Sequence, residues 1–143
     1  MATVRAPQTA TPLLQFCKPY PGRTTNPCFG SYADLLIFAA GVGYNHLNGR
    51  QAPPCSTFIE DGQPVPIPFE VFKGSNLGLY PFVLLLSLAS ENSHQAVRDE
   101  ERLARTVENY ASVGLTELQR RLDATTPEEF HVELAKLLLQ HAS

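Results

Sequence analysis

"ERLARTVENYASVGLTELQRRL", residues 101–122, places Leu103, Val107, Tyr110, Gly114, Leu118 and Leu122 three or four positions apart. That is the spacing of one face of an α-helix. The pattern starts near Gln95, so a long amphipathic helix is predicted from about Gln95 to Leu122. Gly114 interrupts the apolar stripe. A glycine inside a helix costs about 1 kcal/mol relative to alanine, so it either lets a second helix approach closely or splits the segment in two. A helix with such a stripe has to be covered by other elements.

Three further stretches supply helices. In "SYADLLIFAAGVGY", residues 31–44, Ser31 is a natural N-cap and Asp34 suits the first turn. Tyr32, Leu35, Leu36, Ala39 and Val42 follow at helical spacing, with Gly41 and Gly43 placed to end the helix. The Gly-x-Gly here follows a helix and lacks a third glycine, so it is not a dinucleotide fingerprint. "YPFVLLLSLAS", residues 80–90, puts Pro81 in a first turn and is apolar nearly all round, which predicts a central buried helix. Thr126-Pro127-Glu128-Glu129 combines an N-cap, a first-turn proline and a capping-box glutamate ahead of Phe130, Leu134, Leu137 and Leu138.

Between Asn45 and Gly78 the chain is rich in turn signals: Asn48-Gly49, Pro53-Pro54 and Asp61-Gly62. "FIEDGQPVPIPFEVF", residues 58–72, reads as a β-hairpin turning at Asp61-Gly62. Pro64, Pro66 and Pro68 recur every two residues. A polyproline ligand repeats every three, so this is a strand's period. Val65, Ile67, Phe69 and Val71 then face the core, while the prolines, which donate no hydrogen bond, face an edge.

Residues 1–30 differ from the rest. They hold Pro7, Pro12, Pro19, Pro21 and Pro27, the bases Arg5, Lys18 and Arg23, and no acid. Prolines at this density exclude a regular helix, which predicts an extended arm. Leu13, Leu14, Phe16, Tyr20 and Phe29 would lay it on a surface. That surface is either its own domain or a partner protein or phosphate backbone. The expectation is therefore a mainly α (α+β) fold: four to five helices, one small hairpin, an arm over 1–30 and a single globular domain over 31–143.

Composition narrows the function. The chain has 143 residues, 43% of them hydrophobic and 17% charged. A chain of that size buries roughly two thirds of its unfolded surface. Its net charge of −3 excludes a protein that coats nucleic acid by bulk charge, though not a local basic patch. The apolar run Pro81–Ala89 is about half of what a bilayer requires, and no secretory signal opens the chain. A cytoplasmic location is expected.

No stretch demonstrates a catalytic chemistry. Cys17, Cys28 and Cys55 form no C-x-x-C pair and suit reduced thiols. With His46 they could form a zinc site, but their spacing is irregular. Glu91 with His94 and Glu128 with His131 repeat the E-x-x-H of di-metal bundles, yet neither pair falls mid-helix. Nucleophile-elbow and phosphate-loop patterns are absent. No catalytic, cofactor-binding or metal-ligating residue is assigned, and no cofactor is expected. Arg98, Arg102 and Arg105 lie along one side of the long helix and could contact phosphates. Asp99, Glu100, Glu101 and Glu108 are interleaved with them, and Glu101 precedes Arg105 by four, so a solvated, self-paired face is the competing reading.

"YADLLIFAAGVGY", "DGQPVPIPFEVF" and "RTVENYASVGLTELQRRL", in that order, resemble the small DNA phosphorothioation-associated proteins encoded beside dnd gene clusters. Gly43-Tyr44, Arg50 with Pro53, Pro66 to Phe72, and Tyr110 to Leu118 carry the likeness, which spans Ser31 to Leu122 and leaves out the first 30 residues. Such clusters place sulfur in the DNA backbone. The resemblance implies a non-enzymatic accessory or adaptor in a bacterial or archaeal anti-phage defence system, and it implies no catalytic residues. The expected partner is a larger protein subunit of a defence complex. The alternative is direct DNA contact, and no membrane is involved. Candidate contacts are Arg5, Lys18, Arg23, Arg98, Arg102 and Arg105. A nuclease-type or metal-dependent enzyme is a third, weaker reading.

Overall fold

The computed structural model of the chain describes residues 3–22, 29–48, 50–60, 66–73, 99–126, 129–130, 132–133 and 136. In chain order these form β1 (Thr3–Val4), a 3-10 helix (Gln8–Phe16), α1 (Tyr32–His46), β2 (Ile67–Pro68), α2 (Glu70–Lys73) and α3 (Glu100–Asp123). Residues 129–130, 132–133 and 136 are also helical. The fold is mostly helical with one small antiparallel sheet. Among the described residues there are three α-helices, where the sequence predicts four to five. The predicted apolar helix at 81–89 lies outside them. The arm, expected to be extended, instead forms a 3-10 helix over Gln8–Phe16, with Pro12 inside it.

Helices α1 and α3 cross at the centre. Ser31 caps α1 by accepting a hydrogen bond from the backbone N–H of Asp34 at 3.2 Å. Gly41 and Gly43 do not end this helix. It runs on to His46 and stops where Asn48 takes a left-handed φ of 54°, a conformation that asparagine tolerates. Gly43 instead meets Gly114. A β-carbon added to either glycine would stand 2.9 Å from the backbone nitrogen of the other, and would also overlap the carbonyl of Tyr110 or Ala39. Of the two roles open to Gly114, close approach is the one realised, and α3 continues unbroken. Leu35, Leu36, Ala39 and Ala40 of α1 and Leu103, Val107, Tyr110, Ala111, Leu115 and Leu118 of α3 are all buried in the shared core.

The predicted hairpin is replaced by a different pairing. β2 pairs antiparallel with β1, Val4 opposite Ile67 and Thr3 opposite Pro68. Further along the arm, Pro7 forms an antiparallel bridge with Phe58. Gln8 donates to the Thr57 carbonyl at 3.1 Å, and Ile59 donates to that of Ala6 at 2.9 Å. Residues 57–59 and 67–68 are both antiparallel to the arm, so they run in the same direction and cannot be the two arms of a hairpin. The N-terminal segment is the strand that each of them needs. Alternation holds at Ile67 and at Phe69, which is buried between the exposed Pro68 and Glu70. It fails at Val71, which is exposed because the chain has turned into α2. Val65 lies outside the described residues.

The described part of the arm is interior. Ala10, Leu13 and Phe16 are three apart, which matches the three residues per turn of a 3-10 helix and lines them on one face. All three are buried, as are Val4, Ala6, Leu14 and Cys17. Phe16 meets Phe130 edge-on, with ring centroids 5.0 Å apart. Phe130 follows the predicted capping box: Glu129 N–H donates to Thr126 Oγ1 at 3.3 Å, and Thr126 N–H donates to the Glu129 carboxylate at 3.4 Å.

Candidate partner-binding site

Glu108 organises the polar side of α3. It is fully buried, and its carboxylate accepts three hydrogen bonds from Arg5. The backbone N–H and Nε of Arg5 reach Oε2 at 2.7 and 3.1 Å, and Nη2 reaches Oε1 at 2.9 Å. Arg105, one turn before Glu108, donates to the same carboxylate at 3.0 Å and to the Thr3 carbonyl at 2.7 Å. Two α3 side chains therefore serve both the Thr3 carbonyl and the Arg5 N–H, as a neighbouring strand would. The hydrogen bond that Arg5 donates to Glu108 pushes its guanidinium above the ordinary value. Arg5 also lies over the Phe58 ring, 3.8 Å from its centroid, a cation–π contact.

The candidate cations thus separate. Arg5 and Arg105 are joined through Glu108, though each side chain remains 40% exposed. Arg105 also pairs with Glu101 at 3.6 Å, in the i, i+4 relation expected from the sequence. Arg102 is exposed, and its side chain has no acidic partner among the described residues. Lys18 is exposed in the turn after the 3-10 helix. Arg23 and Arg98 lie outside the described residues.

Arg102 borders a cleft of about 280 Å³ between the first turns of α3 and the segment 50–52. Gln51, Ala52, Thr106, Asn109 and Tyr110 line it together with Arg102, Arg105 and Glu101. Its walls are held firmly. Tyr110 donates its hydroxyl hydrogen to the Arg50 carbonyl at 2.9 Å, and Asn109 Oδ1 accepts from Cys55 N–H at 2.9 Å. The Tyr44 and Tyr110 rings pack with centroids 5.7 Å apart behind it. The site therefore offers a guanidinium with no acidic partner among the described residues, beside apolar and amide groups.

The sequence places Glu108 among solvated acids, and the structure buries it. The helical spacing holds a clue: Ala104, Ala111 and Leu115 lie on the same side of the helix as Glu108 and are themselves buried. Its partner could not be read locally, because Arg5 is 103 residues away.

Of the suggested zinc set, Cys17 is buried and Cys55 half-buried. His46 faces Glu117 at 3.7 Å, and Cys28 lies outside the described residues. No group of three His, Cys, Asp or Glu side chains among the described residues could hold a metal ion. The two E-x-x-H pairs also lie outside them. No described helix is long and apolar enough to cross a membrane.

No curated protein and no solved structure matches this sequence. A family model does, that of DNA sulphur modification system-associated protein 4, over residues 4–142. The match includes most of the arm, which the resemblance from residues 31 to 122 leaves out, as expected of a segment built into the same core. The chain therefore belongs to the family of DNA sulphur modification system-associated protein 4.

Proposed function

We propose that the chain is a non-enzymatic accessory or adaptor subunit of a bacterial or archaeal DNA-based anti-phage defence system that acts through protein–protein contacts. The observation that carries this reading is the extent of the family match, residues 4–142, to proteins associated with DNA sulphur modification. The internal use of Arg5 and Arg105 supports a protein partner over a DNA backbone, since two of the six candidate cations already share a buried carboxylate. The exposed Arg102 and Lys18 keep a second reading in play, a regulatory protein that contacts DNA directly.

Deleting residues 1–30 is not a clean test, because that segment contributes to the core. The chain is instead co-expressed, intact, with the products of neighbouring DNA-modification and restriction genes. Stable co-purification with one of them is expected. Failure to associate with any, together with salt-sensitive binding of the isolated chain to a DNA duplex, would favour the second reading.

A further inference from the structure

We infer that the cleft beside Arg102 receives a carboxylate from a partner protein, an Asp or Glu side chain flanked by apolar residues. The inference rests on the adaptor reading and names the chemistry that such a partner presents. Three arginines lie close together on this side of the molecule. Arg5 and Arg105 share Glu108, and Arg105 also takes Glu101, the acid on the rim of the cleft. Arg102 alone has no acidic partner among the described residues, although it lines the cleft and is exposed. A guanidinium presents a planar fork that a carboxylate fits with two parallel hydrogen bonds.

The surroundings select the ligand. Ala52 and Tyr110 form apolar walls, and Asn109, whose Oδ1 is engaged by Cys55 N–H, keeps its amide hydrogens as donors. Such a pocket suits one acidic side chain with apolar neighbours. A duplex suits it poorly. DNA carries one negative charge per about 1.7 Å of its axis, and Asp99, the N-cap of α3, with Glu100 and Glu101 of its first turn stand immediately before Arg102. A single carboxylate inserted beside Arg102 faces only Glu101, which is already paired with Arg105, whereas an extended polyanion also meets Asp99 and Glu100.

The test follows the side-chain Nε–Hε resonance of Arg102 by NMR in the full chain. The probe is the peptide N-acetyl-Leu-Glu-Leu-amide. A saturable shift at Arg102 and at the Asn109 amide is expected, with affinity at least about tenfold lower for the same peptide carrying Gln, a difference of about 1.4 kcal/mol. Arg102→Gln, an exposed substitution, should weaken Glu-peptide binding by a similar factor. The absence of a saturable shift, or equal binding of the Glu and Gln peptides, would overturn the inference. So would a short DNA duplex that shifts these resonances at lower concentration than the peptide. Co-purification with a neighbouring gene product that survives Arg102→Gln, with no peptide binding, overturns the cleft and leaves the adaptor reading standing. Failure of the wild-type chain to co-purify with any neighbouring gene product overturns the adaptor reading, and the peptide titration then decides the cleft by itself.

Discussion

Arg5 and Glu108, 103 residues apart in the chain, are joined by three hydrogen bonds of 2.7, 2.9 and 3.1 Å. Arg105 completes the arrangement by donating to the same carboxylate at 3.0 Å. With either arginine present, Glu108 keeps a charged partner. With neither, a buried carboxylate is left uncompensated. Arg5→Met and Arg105→Met should each cost about 1–2 kcal/mol in urea unfolding, since both arginines are partly solvated. The double variant should cost more than the sum, about 4–5 kcal/mol, because removing the last partner of a buried charge is the expensive step. Additive losses would show that Glu108 does not depend on the pair.

Gly43→Ala and Gly114→Ala offer a test in which the sign is diagnostic. In an open helix, Gly→Ala stabilises by roughly 1 kcal/mol. Here each new methyl meets the backbone of the facing helix, so each substitution should destabilise, by about 1–3 kcal/mol. Thermal melts of the two variants give the sign directly.

The end of α1 is tied to α3 by charge. Glu117 faces Arg120, Arg121 and His46. The hydrogen bond from Arg120, followed by the charges of Arg120, His46 and Arg121, holds the Glu117 carboxyl below its ordinary value of 4.5, against the opposing effect of burial. A carboxyl lowered on folding contributes stability above its unfolded pKa and loses it as pH falls through the folded one. The stability difference between wild type and Glu117→Gln should therefore be present above about pH 5.5. It should shrink progressively below about pH 4.5, and it should stay under about 1 kcal/mol because the basic partners are exposed. Urea titrations across this range check the sign.

Ser31→Ala removes the N-cap of α1, leaving the Asp34 N–H without its acceptor. A loss of about 1 kcal/mol in chemical unfolding is expected. Ser31→Asp should restore most of it.

Local patterns were legible wherever the partner of a residue lay nearby in sequence. Ser31 as a cap, the Thr126–Glu129 capping box and the Leu103-to-Leu118 stripe all appear as the spacing implies, because each depends on residues within a turn or on burial alone. The β pairing was misassigned because its strand period is correct but its partner is not local. Ile67 pairs with Val4, and nothing between residues 58 and 72 encodes that choice. Glu108 escaped for the same reason: a carboxylate on an apolar face signals an unusual position without identifying the distant arginine that makes it tolerable. In the cleft, the exposure of Arg102 depends on which of the neighbouring acids its fellow arginines have taken, a matter of three-dimensional pairing that charge spacing alone leaves open.

The pairing of β1 with β2 and of Arg5 with Glu108 also sets an order of events. A ribosome releases the arm first, but the carboxylate that binds it is made 103 residues later. Until then Val4, Leu13 and Phe16 have no α3 to pack against, and the arm's backbone has no Arg105 or Glu108 to satisfy it. Closure of so long a loop is slow relative to local helix formation. Until α3 is made the nascent arm therefore lacks part of its cover, the state in which chaperone binding and aggregation compete with folding.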